Sequence, residues 1–462
     1  MNKYLYLDIS LFLFFLFNFV WISLDPFESC FQYVYNISLF EYSFFFGIDS
    51  ISFFFIYLSM LLIPLCLLFS TVNMKFNNIN DVIYYQSFLF FTLFLLIFVF
   101  SAMDLLVFYI MFEIILIPFF VLIGISSYRK RRIHASYLFF FYTLIGSFFM
   151  LVSILSLYSY TGSTSFEILL NNNYSLIREN IIWFTFFISF AIKIPMFPFH
   201  IWLPEAHVEA PTEGSVLLAG VLLKLGSYGF LRFLMPLFPV STYYFCPLVL
   251  LISCIGIFYT SFVTLKQIDI KRIIAYSSVS HMNVCVLGLF TFTSIGIAGS
   301  IHLMLAHGIV SGGFFFLIGM LYSRTHTKLI KYYSGLIYTM PIFSFFLFIF
   351  TISNISFPLT SNFIGEFLII ISLFYSYNYH SLSIALIGIF ICTIYSLSLY
   401  NRLIFMVPKY KYLKFFYDLG MLEISLLFIL LFFILWMGIY PYSIFSLLEN
   451  NIVYFYNDLL YK

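Results

Sequence analysis

The chain has 462 residues, of which 63% are hydrophobic and only 9% are charged, and its formal net charge is +2. Its mean hydropathy of +1.06 exceeds what one or two water-soluble domains of this length can bury, which excludes a soluble globular enzyme and indicates a membrane protein. So small a net charge gives no reason to expect nucleic acid as a partner.

Five apolar stretches in the first third of the chain are long enough to span a bilayer. A spanning helix needs about 20 apolar residues. The first stretch follows Lys3 as a signal peptide would, but it has the length of a spanning helix and lacks a small-residue cleavage site, so we expect it to be retained. The five stretches lie at 4–24, 50–70, 82–101, 104–125 and 134–160.

Two later stretches are interrupted by proline. Residues 180–206 contain Pro195-Met-Phe-Pro198, and residues 338–377 contain Pro358-Leu-Thr-Ser-Asn362. Because proline removes a helical hydrogen bond, each stretch is predicted to be a broken helix that crosses the membrane once. Six uninterrupted stretches complete an all-α, polytopic membrane fold of about 13 transmembrane helices: 212–235, 246–265, 272–291, 294–321, 382–406 and 424–446.

The basic residues provide a check on this count, because loops on the cytoplasmic or matrix side of a membrane collect Lys and Arg. With 13 crossings, sixteen of the 21 basic residues fall on the side of the N-terminus, which we call the positive side. The basic loops are then topology signals rather than lipid or nucleic-acid sites. We expect the loops at 127–133, 267–271 and 409–416 to share this side, where cysteines at Ser127 and Tyr410 would be labelled.

Four ionisable residues remain well inside the apolar stretches: Glu113, Lys193, Lys224 and Glu366. An ionised group there costs at least about 2.5 kcal/mol unless it is paired or hydrated, so such residues tend to mark ion or proton pathways. A single pair could simply lock two helices together. Four groups on four different helices favour a proton pathway.

Two histidines, His281 and His307, add polar groups to the same region. Each is either a proton relay station or a hydrogen-bonded packing residue. Axial ligation of a haem is a third use of paired histidines, but it leaves the buried lysines unexplained. The six cysteines have no metal-ligand spacing, and the chain has no G-x-G-x-x-G and no P-loop, so we predict no metal, nucleotide or cofactor site.

One long motif then points to a family. The run at 191–229, AIKIPMFPFHIWLPEAHVEAPTEGSVLLAGVLLKLGSYG, closely resembles the signature of the antiporter-like membrane subunits of NADH:ubiquinone oxidoreductase (respiratory complex I), and in particular the chain 4 family. The segments DIKRIIAYSSVSHM at 269–282, Ala306-His-Gly308, Arg324-Thr-His326 and NFIGEF at 362–367 resemble the same family. Together the motifs cover roughly residues 80 to 410.

The resemblance implies an architecture and a set of roles. The fold implied is two inverted five-helix repeats, each with one broken helix. The expected division is into N-terminal transmembrane helices at 1–81, a first repeat at 82–235, a second repeat at 246–406, and a C-terminal loop and helix at 407–462. The roles implied are proton transfer by a Glu113–Lys193 pair, by Lys224 as the central carrier, by His281 and His307 along a hydrated axis, and by Glu366 as the terminal site.

Three features of the sequence bear on how closely it follows the family. The acidic residue at Glu366 favours chain 4, because the sister subunits carry a lysine there. Thirteen crossings stand where 14 are typical, so we expect one N-terminal helix of the family to be missing. Glu213 replaces a residue that is commonly small, and we expect it to be an interfacial carboxylate.

We therefore expect a proton-translocating membrane-arm subunit in the mitochondrial inner membrane, surrounded by other complex I subunits and lipid. No cofactor is expected in this chain, whereas NADH, FMN, iron–sulfur clusters and ubiquinone are expected in other subunits. A bacterial plasma membrane is the alternative location. The alternative functions are a subunit of a multi-subunit cation/proton antiporter, which shares the same lysines, and, more distantly, a haem-bearing membrane cytochrome.

Overall fold

The computed structural model is built almost entirely of helices, which confirms the predicted all-α membrane fold. Among the described residues, ten helices are long and apolar enough to cross a membrane by length and composition. The structure describes residues 4–28, 31–39, 42–73, 79–125, 131–405, 407 and 417–461.

The N-terminal part contains one β-hairpin among its helices. A single residue, Ile115, separates helix α4 from helix α5. Pro118 follows one turn later and cannot donate the helical hydrogen bond, so the stretch predicted at 104–125 is divided at this point. The elements are α1 (Leu5–Ser23), β1 (Gln32–Leu39), β2 (Tyr42–Ile48), α2 (Ser50–Asn73), α3 (Ile79–Ser101), α4 (Leu105–Ile114), α5 (Leu116–Ile125), α6 (Arg131–Thr161) and α7 (Phe166–Leu170).

The middle of the chain contains the first predicted break. Helix α8 (Leu176–Lys193) ends before Pro195, and α9 (Trp202–Glu209) resumes after one 3-10 turn. The following span runs from Thr212 to Leu237 as α10 (Thr212–Leu217), α11 (Leu223–Gly229) and α12 (Met235–Leu237), joined by two π-helical turns. We call this span the central helix. It is completely buried.

The remainder of the chain contains the second predicted break, which separates α17 from α18. Helix α15 is as deeply buried as the central helix. The helices are α13 (Pro239–Lys266), α14 (Ile270–Leu289), α15 (Ser294–Thr325), α16 (Leu336–Thr339), α17 (Pro341–Asn354), α18 (Ser361–Tyr375), α19 (Tyr379–Ile404), α20 (Met421–Ile439) and α21 (Tyr442–Tyr461).

Contacts between loops agree with the predicted sidedness. Backbone bridges join Phe46 to Ala102 and Asp104 to Ser165, all in loops assigned to the side opposite the positive side, and Asp269 to Leu329 on the positive side. Ser127 and Tyr410 lie outside the described residues. The number of crossings and the division into two inverted repeats stay predictions.

The hairpin β1–β2, the short helix α7 and helix α21 were not predicted from the sequence. The stretch predicted at 424–446 is wrong at its end, because α20 stops at Ile439 before Pro441 and α21 follows as a separate helix. Asn451 in α21 donates a hydrogen bond to the Ser50 hydroxyl at 2.6 Å, which ties the C-terminal helix to the start of α2.

Candidate functional site

Lys224 lies at the centre of the protein, and its side chain is fully buried. The π-helical turn at Leu218–Leu222 precedes it on the central helix. Such a turn shifts the regular hydrogen-bond pattern and is frequent at functional sites. Lys224 Nζ donates a hydrogen bond of 2.5 Å to the carbonyl oxygen of Ala219. The backbone of its own helix thus holds the amine in position.

Two glycines bring the central helix against α15. A Cβ atom at Gly308 would lie only 2.9 Å from the carbonyl oxygen of Gly220, so side chains at this crossing are excluded. Glycine allows such close approach of two helix backbones. Close to this crossing, Lys224 Nζ lies 3.0 Å from Nδ1 of His307.

The contacts continue from His307 into the second half of the chain. The ring centroids of His307 and His281 are 5.7 Å apart, and Nδ1 of His281 lies 2.9 Å from a carboxylate oxygen of Glu366. All four side chains are almost completely buried. Lys224, His307, His281 and Glu366, which we call the central line, therefore form a sequence of neighbouring titratable groups on four helices.

Glu366 is held by the packing of α18 against α15. A Cβ atom at Gly365 would lie 2.8 Å from the backbone of Leu303, so this position also permits close helix contact. Near the break that precedes α18, the Ser361 hydroxyl and both amide atoms of Asn362 are buried and have no hydrogen-bond partner within the described residues. Buried polar atoms of this kind are the usual partners of internal water.

The structure does not bring Glu113 and Lys193 into a direct ion pair. Among the described residues, Lys193 Nζ has no hydrogen-bond partner, and it lies 3.9 Å from the ring centroid of Phe112. Glu113 lies close enough for its charge to act on Lys193, and the Ser147 hydroxyl is near its carboxylate. The two residues are electrostatic neighbours, and their predicted coupling stays a prediction.

Close packing joins this pair to the central helix. A Cβ atom at Gly226 would lie 2.9 Å from the carbonyl oxygen of Phe190 and 3.0 Å from Cβ of Lys193. The end of α8 is therefore pressed against the helix that carries Lys224. All six predicted site residues lie in one connected region of the protein.

Lys271 was assigned to the loop at 267–271, and this is wrong, because it lies in the first turn of α14. Its side chain is 2% exposed, and Nζ donates a hydrogen bond of 3.0 Å to the carbonyl oxygen of Ala210. No local signal distinguished Lys271, because nearly every residue of α14 is buried, whichever face it lies on.

His207 is a further buried residue that the sequence analysis did not single out. Its ring stacks on Phe315 with centroids 4.7 Å apart, and neither ring nitrogen has a hydrogen-bond partner in the described part of the chain. The charges of both Lys271 and Lys224 act on it. His207 therefore lies between the positive-side lysine and the central line.

The environment of His281 does not fit axial ligation of a haem. Its Nδ1 atom faces Glu366, and its Nε2 atom lies 3.8 Å from Sγ of Cys392. Ligation needs a ring nitrogen that points at the iron, and both nitrogens of this ring already contact side chains. The geometry instead suits transfer of protons between neighbouring groups.

A family model described as NADH:quinone oxidoreductase/Mrp antiporter, TM, matches residues 102–392. The chain is 48% identical over 451 residues to NADH-ubiquinone oxidoreductase chain 4 of Acanthamoeba castellanii, covering 95% of this chain and 89% of the relative. It is 49% identical over 427 residues to chain 4 of Chondrus crispus, covering 92% and 86%.

Solved structures show the same fold. A chain of respiratory complex I from Thermus thermophilus with bound NADH matches with a TM-score of 0.91 and 27% identity, covering 99% of this chain and 96% of that chain. A chain of the Mrp complex from Dietzia sp. matches with a TM-score of 0.85 and 17% identity, covering 99% and 93%. The second likeness shows a shared fold only.

Proposed function

Because this chain belongs to the NADH-ubiquinone oxidoreductase chain 4 family, we infer that it is the corresponding membrane-arm subunit of mitochondrial respiratory complex I. Its place is the inner mitochondrial membrane, in contact with lipid and with other subunits of the complex. The observation that carries a proton-translocating role is the central line, four neighbouring titratable groups enclosed in the middle of an apolar protein.

The central line provides a route for protons. Protonated Lys224 donates from Nζ to Nδ1 of neutral His307, and an imidazole that accepts a proton at one nitrogen can release another from its second nitrogen. His281 is the next acceptor, and its Nδ1–H donates to the carboxylate of Glu366. Each transfer needs only a short movement or one intervening water molecule.

The redox chemistry belongs to other subunits in this proposal. NADH, FMN, iron–sulfur clusters and ubiquinone are placed there because the cysteines of this chain are scattered and no nucleotide-binding motif is present in the sequence. Within the described residues, no group of three or more His, Cys, Asp or Glu side chains could hold a metal ion. This chain contributes vectorial proton movement to a reaction completed elsewhere.

Isolation of the native assembly tests the proposed function. The chain is expected to purify together with NADH:ubiquinone reductase activity, because its relatives at 45–49% identity are chain 4 proteins of that enzyme. The measurement is NADH oxidation by ubiquinone in the purified assembly, with the chain identified by mass spectrometry. Recovery in an assembly that exchanges cations for protons and lacks this activity would support a multi-subunit antiporter instead.

Glu113 and Lys193 are expected to act as a coupled pair. A carboxylate near an amine favours the protonated amine, so Glu113→Gln should weaken proton binding at Lys193 and impair turnover more than assembly. The measurement is a double-mutant comparison of Glu113→Gln, Lys193→Met and the double variant for NADH-driven proton transport. Strictly additive defects would show that the two residues act independently.

A further inference from the structure

A pocket opens on the positive side of the protein, away from the central line. Its volume is about 720 Å³, and its walls come from the end of α2, the start of α10, the end of α15 and the start of α20. Arg324 and Asp418 lie at its wall, and Glu213 and Thr212 line it from the central helix. The pocket therefore connects the compartment of the basic loops with the beginning of the helix that carries Lys224.

Glu213 is one of two buried acidic residues that line this pocket; the other, Glu423, is paired with Arg324. The Glu213 side chain is 1% exposed, so it is not the interfacial carboxylate expected from the sequence. Its Oε2 atom accepts hydrogen bonds from the Tyr85 hydroxyl at 3.2 Å and from the Thr212 hydroxyl at 2.9 Å. Its Oε1 atom has no hydrogen-bond partner among the described residues. With both donors on one oxygen, the other oxygen is left to bind a proton.

The groups around Glu213 lead inward. The titratable side chains that face it are Tyr85 from α3, Cys66 from α2 and Lys271 from α14. Lys271 is the basic one, and it is fixed to the carbonyl oxygen of Ala210 beside the start of the central helix. The charge of Lys271 also acts on His207, which in turn is close to Lys224. Glu213, Lys271, His207 and Lys224 are thus electrostatic neighbours in that order, and Lys224 begins the central line.

We propose that Glu213 is a proton-uptake residue of this chain, which binds protons from the positive-side pocket at Oε1 and delivers them through Lys271 and His207 to Lys224. In the first step the carboxylate takes a proton from a hydronium ion in the pocket, which leaves a water molecule, and becomes a carboxylic acid. In the second step the carboxylic acid transfers its proton to the neutral amine of Lys271. The amine becomes an ammonium group, and Glu213 is again a carboxylate. The inference rests on the proposed proton-translocating function of the central line.

A purely structural role makes a different prediction. The hydrogen bond from Tyr85 joins α3 to the central helix, and Glu213 could serve only to accept it. An amide can accept the same bond, so a structural Glu213 would tolerate glutamine. A proton-uptake residue would not, because glutamine cannot titrate.

The test compares variants of Glu213 in the intact complex, purified and reconstituted in vesicles, with the rate of NADH-driven proton transport as the readout. Glu213→Gln is expected to lower the translocation rate about tenfold, whereas Glu213→Asp keeps partial transport because it retains a titratable carboxyl. Glu213→Ala opens space next to the pocket, so formate added on the positive side is expected to restore most of its transport.

The outcomes separate this inference from the function on which it rests. Transport by Glu213→Gln within twofold of the wild type, or failure of formate to restore Glu213→Ala, would overturn the uptake role and leave a structural one. Lys224→Ala is measured in parallel, and formate is not expected to restore it. Normal transport by Lys224→Ala would instead refute the central line itself, whatever Glu213 does.

Discussion

Replacing Lys224 by alanine is expected to abolish proton translocation, with a loss of at least about a hundredfold, while the complex still assembles. The lysine is fully buried and donates both to Ala219 and toward His307, so alanine removes the first titratable group of the central line without burying a new charge. Lys224→Arg should restore little transport, because guanidinium does not release its proton at usable pH.

The measurement combines NADH-driven proton transport, ubiquinone reductase activity and the amount of assembled complex. Lys266→Ala is a matched control, because Lys266 is an exposed lysine at the positive-side end of α13 and has no place in the central line. This control should pump at the wild-type rate. Normal transport by Lys224→Ala would make Lys224 a packing residue.

Glu366→Gln is expected to eliminate transport with little loss of assembled complex. The Gln side chain has the same shape and can still accept the hydrogen bond from Nδ1 of His281, which is 2.9 Å from the present carboxylate, but it cannot bind a proton. A carboxyl group is neutral when it carries a proton, so it stores one at low electrostatic cost in an apolar region. Glu366→Asp should keep partial transport, because it titrates from a shorter side chain.

The alternative role for Glu366 is a cap for the second half of the broken helix. Glu366 lies beyond the first turn of α18, which begins at Ser361, and its carboxylate faces α14 instead of the helix terminus. A capping role predicts a mild effect of glutamine on transport together with poor assembly. Proton transport and complex abundance measured on the same variant decide between the two roles.

The fold class and most of the candidate site residues could be predicted from local sequence. A helix that must satisfy its own backbone in lipid needs a long apolar run, so the runs could be read directly from the chain, and prolines located both breaks. Charges within such runs are costly, so Lys193, Lys224 and Glu366 were conspicuous without any tertiary information. The intramembrane histidines His281 and His307 were apparent in the same way, and the family motifs then implied their roles.

Which of these groups contact one another depends on how helices distant in sequence pack together. The π-helical turn before Lys224 and the backbone contact between Gly220 and Gly308 set the 3.0 Å approach to His307, and neither follows from local periodicity. The relation between Glu113 and Lys193 also depends on tertiary packing, because the two residues lie on separate helices. They do not form a direct ion pair.

Lys271 and Glu213 show most clearly why the burial of a polar side chain could not be predicted from the sequence. Lys271 stands at the start of α14 among basic residues, where a loop and a buried helix end look alike in sequence. Glu213 stands out in sequence by charge alone, and its burial depends on contacts with Tyr85, which is 128 residues away along the chain. Local sequence determines whether a segment is a helix, but the burial and the partners of a polar side chain depend on helices that are distant in sequence, so they emerge only when those helices pack.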